Sequence, residues 1–163
     1  MIFLKIMYHL GSMFKKIFFK IVFASHVKFG KGFRFRRGFC LAIEQNGLIE
    51  IGDYVSFNNY CSLNSLEKIT IGERCIFGEN VRIYDHNHKF RDLRKTIMEQ
   101  GYATAPVTIG NDCWIGSNVT ILKGVNIGNN VIVGTGCVIN QNIQSRTIVK
   151  CKNELEIYEI NKK

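Results

Sequence analysis

The sequence predicts an all-β solenoid preceded by an N-terminal amphipathic helix. Two observations carry this prediction: an apolar residue recurs every six positions through most of the chain, and the first residues alternate apolar and basic side chains with a helical period. The composition agrees, because 46% hydrophobic and 21% charged residues in a chain of 163 are typical of one soluble globular domain and exclude a wholly disordered chain.

The six-residue period is uninterrupted through the later part of the chain. Its apolar positions there are Ile109, Ile115, Ile121, Ile127, Val133 and Ile139. The same register runs upstream through Ile51, Phe57 and Leu63, and then, after a two-residue slip, through Ile71, Phe77 and Ile83; a weaker version begins at Phe29. A period of six suits a short strand followed by a corner. Three such units would close one triangular coil of 18 residues, with the apolar side chains inside and Gly or Asn at the corners.

The cysteines fit the same repeat. Four of the six occupy one small inward position, four residues after an apolar one: Cys61, Cys75, Cys113 and Cys137. A cysteine there is predicted to act as a small hydrophobe. Since no CxxC pair or disulfide framework occurs, the pattern favours a reducing, cytoplasmic compartment.

The net charge of +9 is concentrated at one end of the chain. Residues 1–40 contain nine Lys or Arg and no Asp or Glu, whereas the other 123 residues contain 13 basic and 13 acidic ones. A neutral core of this kind excludes a nucleic-acid-binding function for the repeat itself.

Residues 1–24 are predicted to form a basic amphipathic helix. Its apolar face would carry Phe3, Ile6, Met7, Leu10, Phe14, Ile17, Phe18 and Ile21, and its polar face Lys5, His9, Ser12, Lys16 and Lys20. No uncharged run approaches the ~18–20 residues that span a bilayer. Two interpretations stay open: peripheral contact with an anionic membrane, or packing of the apolar face on the domain or on a partner subunit. Because the repeat starts only near Phe29, we expect it to fold without this helix.

The repeat breaks once, between Ile83 and Ile109. The break begins with Tyr84-Asp85-His86-Asn87-His88 and continues as an excursion over residues 89–108. A long loop that leaves a regular solenoid is usually functional, and this one starts with two of the chain's four histidines.

The runs ITIGERCIFGENVRIYDHNH and PVTIGNDCWIGSNVTILKGVNIGNNVIVGTGCVI resemble the hexapeptide-repeat acyltransferases, and more narrowly the galactoside, maltose and xenobiotic O-acetyltransferase branch. The resemblance covers about residues 28–150. It implies a left-handed parallel β-helix, here over residues 25–150 with a C-terminal tail at 151–163. It also implies a homotrimer with active sites between subunits, acetyl-CoA as acyl donor and a sugar acceptor, such as a bacterial surface polysaccharide precursor.

His88 is the predicted general base. Acetyl transfer to a hydroxyl needs a base, and an imidazole can take the hydroxyl proton and pass it to the leaving thiolate. Similar enzymes place their catalytic histidine eleven residues after the first apolar position of the preceding repeat pair, which is Phe77 here. His86 as the base and a purely structural histidine pair remain alternatives. Asp85 could orient an imidazole or cap a corner, and Asn58 could contact the acceptor, as in similar enzymes, or be a corner residue.

The donor site is implied by the resemblance alone. Ser117, Thr135 and Asn140 match positions that contact CoA, and Trp114 lies beside them. Lys150 could contact the CoA phosphates, although the segment around it lacks the Gly-x-Pro-small-basic ending of the family. Ser117 and Thr135 could equally be plain corners.

Three other functions were weighed against the polysaccharide role. A free sugar or an antibiotic could be the acceptor instead. A zinc hydro-lyase resembling the gamma-class carbonic anhydrases would need three histidine ligands, and only His9 and His26 could join the pair in the break; no metal is predicted. A non-catalytic solenoid scaffold would have no need for the excursion.

Overall fold

The structure, a computed structural model, describes residues 2–152, with side chains from residue 11 onward. The predicted tail therefore lies outside the described residues from 153 onward. The helical elements are α1 (Ile2–Phe23) and two short 3₁₀ helices (Ala24–His26 and Met98–Gln100). The strands are β1 (Val27–Phe29), β2 (Arg34–Phe35), β3 (Cys40–Ile43), β4 (Ile49–Ile51), β5 (Ser56–Phe57), β6 (Ser62–Ser65), β7 (Ile69–Ile71), β8 (Ile76–Phe77), β9 (Arg82–Tyr84), β10 (His86–His88), β11 (Tyr102–Thr104), β12 (Val107–Ile109), β13 (Trp114–Ile115), β14 (Thr120–Ile121), β15 (Asn126–Ile127), β16 (Ile132–Val133), β17 (Val138–Ile139) and β18 (Ile148–Val149).

The strands form the three faces of a triangular prism. The first face is β1-β4-β7-β12-β15, the second is β2-β5-β8-β13-β16-β18 and the third is β3-β6-β9-β14-β17. The chain visits the faces in this order, and every pairing between neighbouring coils is parallel and in register, as where Ile109 pairs with Ile71 on one side and Ile127 on the other. The triangular β-solenoid predicted from the hexapeptide period is confirmed, and so is the left-handed parallel β-helix that the resemblance implies.

The interior is a stack of the side chains that the six-residue period placed inside. Ile109, Ile115, Ile121, Ile127 and Val133 are at most 1% exposed, and the four repeat cysteines are buried with them. Towards the N-terminal end the stack becomes aromatic, with the Phe57 and Phe77 rings parallel at 4.1 Å. The prediction that these cysteines are small core residues is confirmed, and all six cysteines are unpaired thiols.

The corners use two adjacent residues for two different tasks. Asn118 and Asn130 adopt a left-handed backbone, with φ near +57° and +56°, which Asn tolerates better than most residues. Asn111 and Asn129, although also at corners, do not adopt this backbone: the side chain of each accepts a backbone N–H of the neighbouring coil at 2.8 Å. The side chain of the first corner residue caps the preceding coil, and the second corner residue makes the bend.

Helix α1 covers the open N-terminal end of the prism, and it packs on the face opposite to the one expected. Ser12 and Phe19 are buried, and the Phe19 ring contacts Phe35 and Phe39 at centroid distances of 6.1 and 6.2 Å. Lys15 and Lys16 donate to backbone carbonyls of the first coil. The part of the apolar face whose side chains are described does not pack on the domain: Phe14, Ile17, Phe18 and Ile21 are exposed. The helix thus closes the aromatic end of the core, which the period alone did not show.

The break in the repeat is a two-stranded ribbon rather than a plain loop. Strands β10 and β11 pair antiparallel, with His88 opposite Tyr102 and His86 opposite Thr104. The chain has already rejoined the first face at Val107, so the excursion ends slightly before the predicted limit of residue 108. The ribbon leaves the prism at the edge between the third and first faces.

Candidate active site

His88 lies at the outer end of strand β10, exposed to solvent. Its ring contacts the Tyr102 ring directly across the ribbon, with centroids 4.5 Å apart and planes tilted by 38°. It lines a cavity of about 680 Å³ between the ribbon, the excursion and the next coil, together with Phe90, Arg91 and Lys123 among others. Among the described residues, none forms a hydrogen bond with the His88 ring, so no such residue competes with a substrate for its nitrogens.

His86 has a different environment at the root of the ribbon. Its Nδ1 donates to Oδ1 of Asp85 at 3.0 Å, and its side chain is only 18% exposed. Its ring meets the edge of the Tyr102 ring, at a centroid distance of 5.3 Å. It lines a separate small cavity of about 60 Å³, which also contains Glu44 and Asn64.

Asp85 is completely buried and ties the ribbon to the coil beneath it. Its carboxylate accepts the Ser65 hydroxyl at 2.7 Å and the backbone N–H groups of Leu66 and Glu67 at 2.9 Å. Burial raises the pKa of Asp85, but hydrogen bonds from Leu66, Ser65, His86 and Glu67 outweigh burial and hold that pKa below its usual value. Asp85 therefore both caps a corner and orients an imidazole, but the imidazole is that of His86 and not His88.

Asn58 follows strand β5 at the edge between the second and third faces. Its Oδ1 accepts Arg36 Nη1 at 3.1 Å and the N–H of Asn59 at 2.9 Å. The Oδ1 of Asn59 is buried and accepts no hydrogen bond from the described residues. This edge is not the one from which the ribbon leaves, so a single chain does not bring Asn58 and His88 together.

The predicted donor residues divide between the same two edges. Ser117, Thr135 and Lys150 follow strands of the second face and stack along the edge that carries Asn58, and the Ser117 hydroxyl accepts the Glu79 N–H at 3.0 Å. Trp114 lies on the outer surface of the second face and is 52% exposed. Asn140 follows β17 of the third face and shares the edge of His88.

Lys123, Phe90 and Arg91 are among the cavity-lining residues that sequence reasoning missed. Lys123 follows the inward residue Ile121 by two positions, just as Asp85 follows Ile83 by two positions in the preceding coil. Aligning the repeats could therefore have identified Lys123 as a neighbour of the site. Phe90 and Arg91 lie in the excursion, which has no period, and no pattern pointed to them. Over residues 2–152 no group of three or more His, Cys, Asp or Glu could hold a metal ion.

Comparisons with known proteins converge on one family. A family model described as bacterial transferase hexapeptide (six repeats) matches residues 106–141. The chain is 33% identical over 130 residues to the putative lipopolysaccharide biosynthesis O-acetyl transferase WbbJ of Escherichia coli, covering 76% of this chain and 66% of that protein. It is 34% identical over 98 residues to the galactoside O-acetyltransferase of the same organism, covering 58% of this chain and 47% of that protein.

A solved structure agrees with the sequence relatives. The hexapeptide-repeat acetyltransferase VCA0836 of Vibrio cholerae, complexed with acetyl-coenzyme A, superposes with a TM-score of 0.60 at 29% identity. The match covers 72% of this chain and 65% of that one. The chain thus spans less than two thirds of the length of each of these relatives, between 47% and 66%.

Proposed function

We propose that this chain is an acetyltransferase of the hexapeptide-repeat family, which moves the acetyl group of acetyl-CoA to a sugar hydroxyl with His88 as general base. The observation that carries the proposal is the position of His88, whose ring stands free in the large cavity at the one break in the solenoid. Two of the similar proteins are named O-acetyltransferases, and a similar structure contains acetyl-CoA.

The reaction needs one proton to be moved between two atoms. One His88 ring nitrogen takes the proton of the acceptor hydroxyl as its oxygen bonds to the acetyl carbon, and the carbon–sulfur bond then breaks. The same nitrogen returns the proton to the departing thiolate, so the imidazole ends neutral. The Tyr102 ring supports this role, because a ring in contact at 4.5 Å limits how far the imidazole can rotate.

His86 is the alternative base, and a specific observation favours it. Its Nδ1 is held by a buried carboxylate, an arrangement that fixes the tautomer and leaves Nε2 to accept a proton. The cavity beside it, however, holds about 60 Å³, roughly the volume of two waters in the liquid. A sugar ring does not fit there, whereas the cavity at His88 is an order of magnitude larger.

A homotrimer with sites between subunits is the assembly that we propose. The argument is that His88 and Asn140 lie on one edge of the prism, whereas Asn58 and the other donor residues lie on another. Packing of one subunit's edge against a neighbour's different edge would complete the site and, repeated around a closed ring, gives a cyclic oligomer. The unpaired buried acceptor on Asn59 supports this assembly, since a neighbour or a bound sugar could donate to it. Sedimentation would detect the trimer, and an active monomer would contradict it.

We propose a precursor of a bacterial surface polysaccharide as acceptor, modified in the cytoplasm. The support is the similarity to the lipopolysaccharide biosynthesis protein, and the six unpaired thiols fit a reducing compartment. The test is a screen of CoA release from acetyl-CoA with panels of surface sugars, free sugars and antibiotics. Release with surface sugars alone supports the proposal. Faster release with an antibiotic would reassign the acceptor, and absence of release with every acceptor would contradict the transferase activity itself.

A further inference from the structure

The outer surface of helix α1 is apolar where a helix normally faces water. With 3.6 residues per turn, Ser12, Lys15, Lys16 and Phe19 share the side that covers the first coil. The opposite side carries Phe14, Ile17, Phe18 and Ile21, which are between 51% and 74% exposed. The described residues place nothing over these four side chains.

Basic side chains lie on the helix beside this apolar surface and on the coil beneath it, and together they form a basic rim. Lys20 on the helix, Lys31 and Arg37 at corners of the first coil and Arg34 on strand β2 are all exposed. The first coil lies directly against the helix, through Phe19 and the lysine-to-carbonyl bonds. A helix with its side chains is about 10–12 Å across, so the charges on the first coil lie about one Debye length, at roughly 0.1 M salt, from a surface that the outer side of the helix touches.

We propose that the exposed face of α1 docks in the plane of an anionic lipid membrane. The apolar side chains would enter the boundary between headgroups and acyl chains, and the basic rim would bind lipid headgroups. The charge on the rim argues against a second copy as the occupant, because two such ends would bring like charges together. Within residues 2–152, no helix is long and apolar enough to cross a bilayer, so the helix would lie along the surface.

Fixed attachment to the domain distinguishes this helix from a free amphipathic peptide. Lys15 and Lys16 would ordinarily extend to headgroups from the helix sides, but here they cap carbonyls of the prism. The lipid-facing surface is therefore already ordered before binding, which lowers the entropic cost of docking. The His88 ribbon leaves the third coil, about two coil spacings or ~10 Å further along the prism axis.

The test is sedimentation of the purified full-length chain with vesicles. The probes are pure phosphatidylcholine vesicles and vesicles with about one third phosphatidylglycerol, an anionic surface that attracts basic residues. We expect binding to the anionic vesicles only, weakening as salt rises. The double variant Phe18→Gln/Ile21→Gln should bind at least about 30-fold more weakly, because two large side chains no longer enter the boundary. Arg37→Gln should bind about 5-fold more weakly, the effect of one charge near the surface.

Leu93→Gln is the matched control, since it removes an apolar side chain that is 95% exposed but lies in the excursion; its binding should equal that of the wild type. Binding unaffected by the double variant, or equal on neutral vesicles, would overturn the proposal. The proposal would also be overturned if the wild type bound no vesicles and the double variant had a different oligomeric mass in sedimentation. That result would show that the apolar face contacts another protein chain. If the double variant unfolds, the Arg37 variant and the salt dependence still decide. Vesicle binding is measured without acyl transfer, so its outcome is independent of the proposed activity.

Discussion

Two histidines separated by one residue, His86 and His88, lie in very different environments. His86 is at the root of the ribbon, bonded to a carboxylate that is itself held by the coil beneath, whereas His88 is at the outer end, with a ring contact on one side and a large cavity on the other. Residue type and neighbouring sequence are nearly the same. The difference arises from distance along a ribbon that leaves a rigid prism: the first histidine is anchored to the core, and the second extends beyond it.

The sharpest test of this contrast exchanges each histidine for alanine. His88→Ala should lower kcat by at least about 100-fold, the contribution typical of a general base. His86→Ala should leave most of the activity, because its ring faces only the small cavity. Steady-state kinetics of both variants, with sedimentation to verify assembly, make the comparison. An active His88→Ala enzyme beside an inactive His86→Ala enzyme would assign the base to His86.

The second test asks whether the site of His88 is completed by another subunit. His88→Ala and Asn58→Ala chains, each of low activity alone, are mixed one to one and reassembled. In a random trimer with one site per interface, about one quarter of the sites would combine an intact His88 with an intact Asn58 of the neighbour. Activity should rise towards about that fraction of the wild type. Mixtures of either variant with itself serve as the control, and no recovery in the mixed sample argues for sites within one chain.

The third test concerns the anchor of His86. Asp85→Asn should lower the free energy of unfolding by about 1–3 kcal/mol, because buried donors lose their carboxylate acceptor. The folded-state pKa of Asp85 is depressed, so its stabilisation is fully present above the unfolded-state pKa of about 4 and is lost as pH falls through the lower folded value. The stability gap between wild type and variant should therefore shrink below about pH 4 in urea titrations. Asp92→Asn, whose exposed carboxylate bonds only to Arg94 and the Arg94 N–H, is the control and should cost much less.

The smallest effect is expected at the ring that both histidines touch. Tyr102→Ala should reduce kcat by about 3- to 10-fold, the value of an aromatic contact of ~0.5–1.5 kcal/mol, by leaving the His88 ring free to rotate. Tyr102→Phe keeps the ring and should retain nearly full kcat. If the phenylalanine variant loses as much as the alanine one, the hydroxyl and not the ring contact supports the reaction.

The periodic parts of the molecule were accessible from sequence, and the aperiodic parts were not. The inward residues, including the four cysteines, were predicted correctly, because a six-residue repeat specifies which side chains share the interior. The break after Ile83 was equally visible as a loss of period. The partner of Asp85 was not, since which of two imidazoles a carboxylate reaches depends on how the ribbon leaves the prism.

Of the interpretations left open for α1, packing of its apolar face on the domain is wrong for a related reason. A helical projection separates an apolar face from a basic one, and burial of the apolar face is the usual outcome. Here the end of the prism presents unpaired carbonyls of Phe33 and Phe39, which lysine ammonium groups satisfy. Phe19, on the otherwise polar side, covers the rings of the first coil, and Phe23 packs against the same core. Which side chains can cover the end of a solenoid depends on the carbonyls and rings that its terminal coil exposes. The helix sequence alone does not reveal them.

The corner caps have a consequence for how the chain becomes structured as it is made. The Glu73 N–H is capped by Asn111, the Asn111 N–H by Asn129 and the Asn129 N–H by Ser145, so each coil is completed by residues that follow it in sequence. During translation the N-terminal coils leave the ribosome first. The corner N–H groups of each coil therefore stay uncapped until the following coil has been synthesised. The coils would therefore fold one after another, starting at the N-terminal end that α1 closes. A frameshift or truncation would leave the finished coils behind it intact and expose a single uncapped layer.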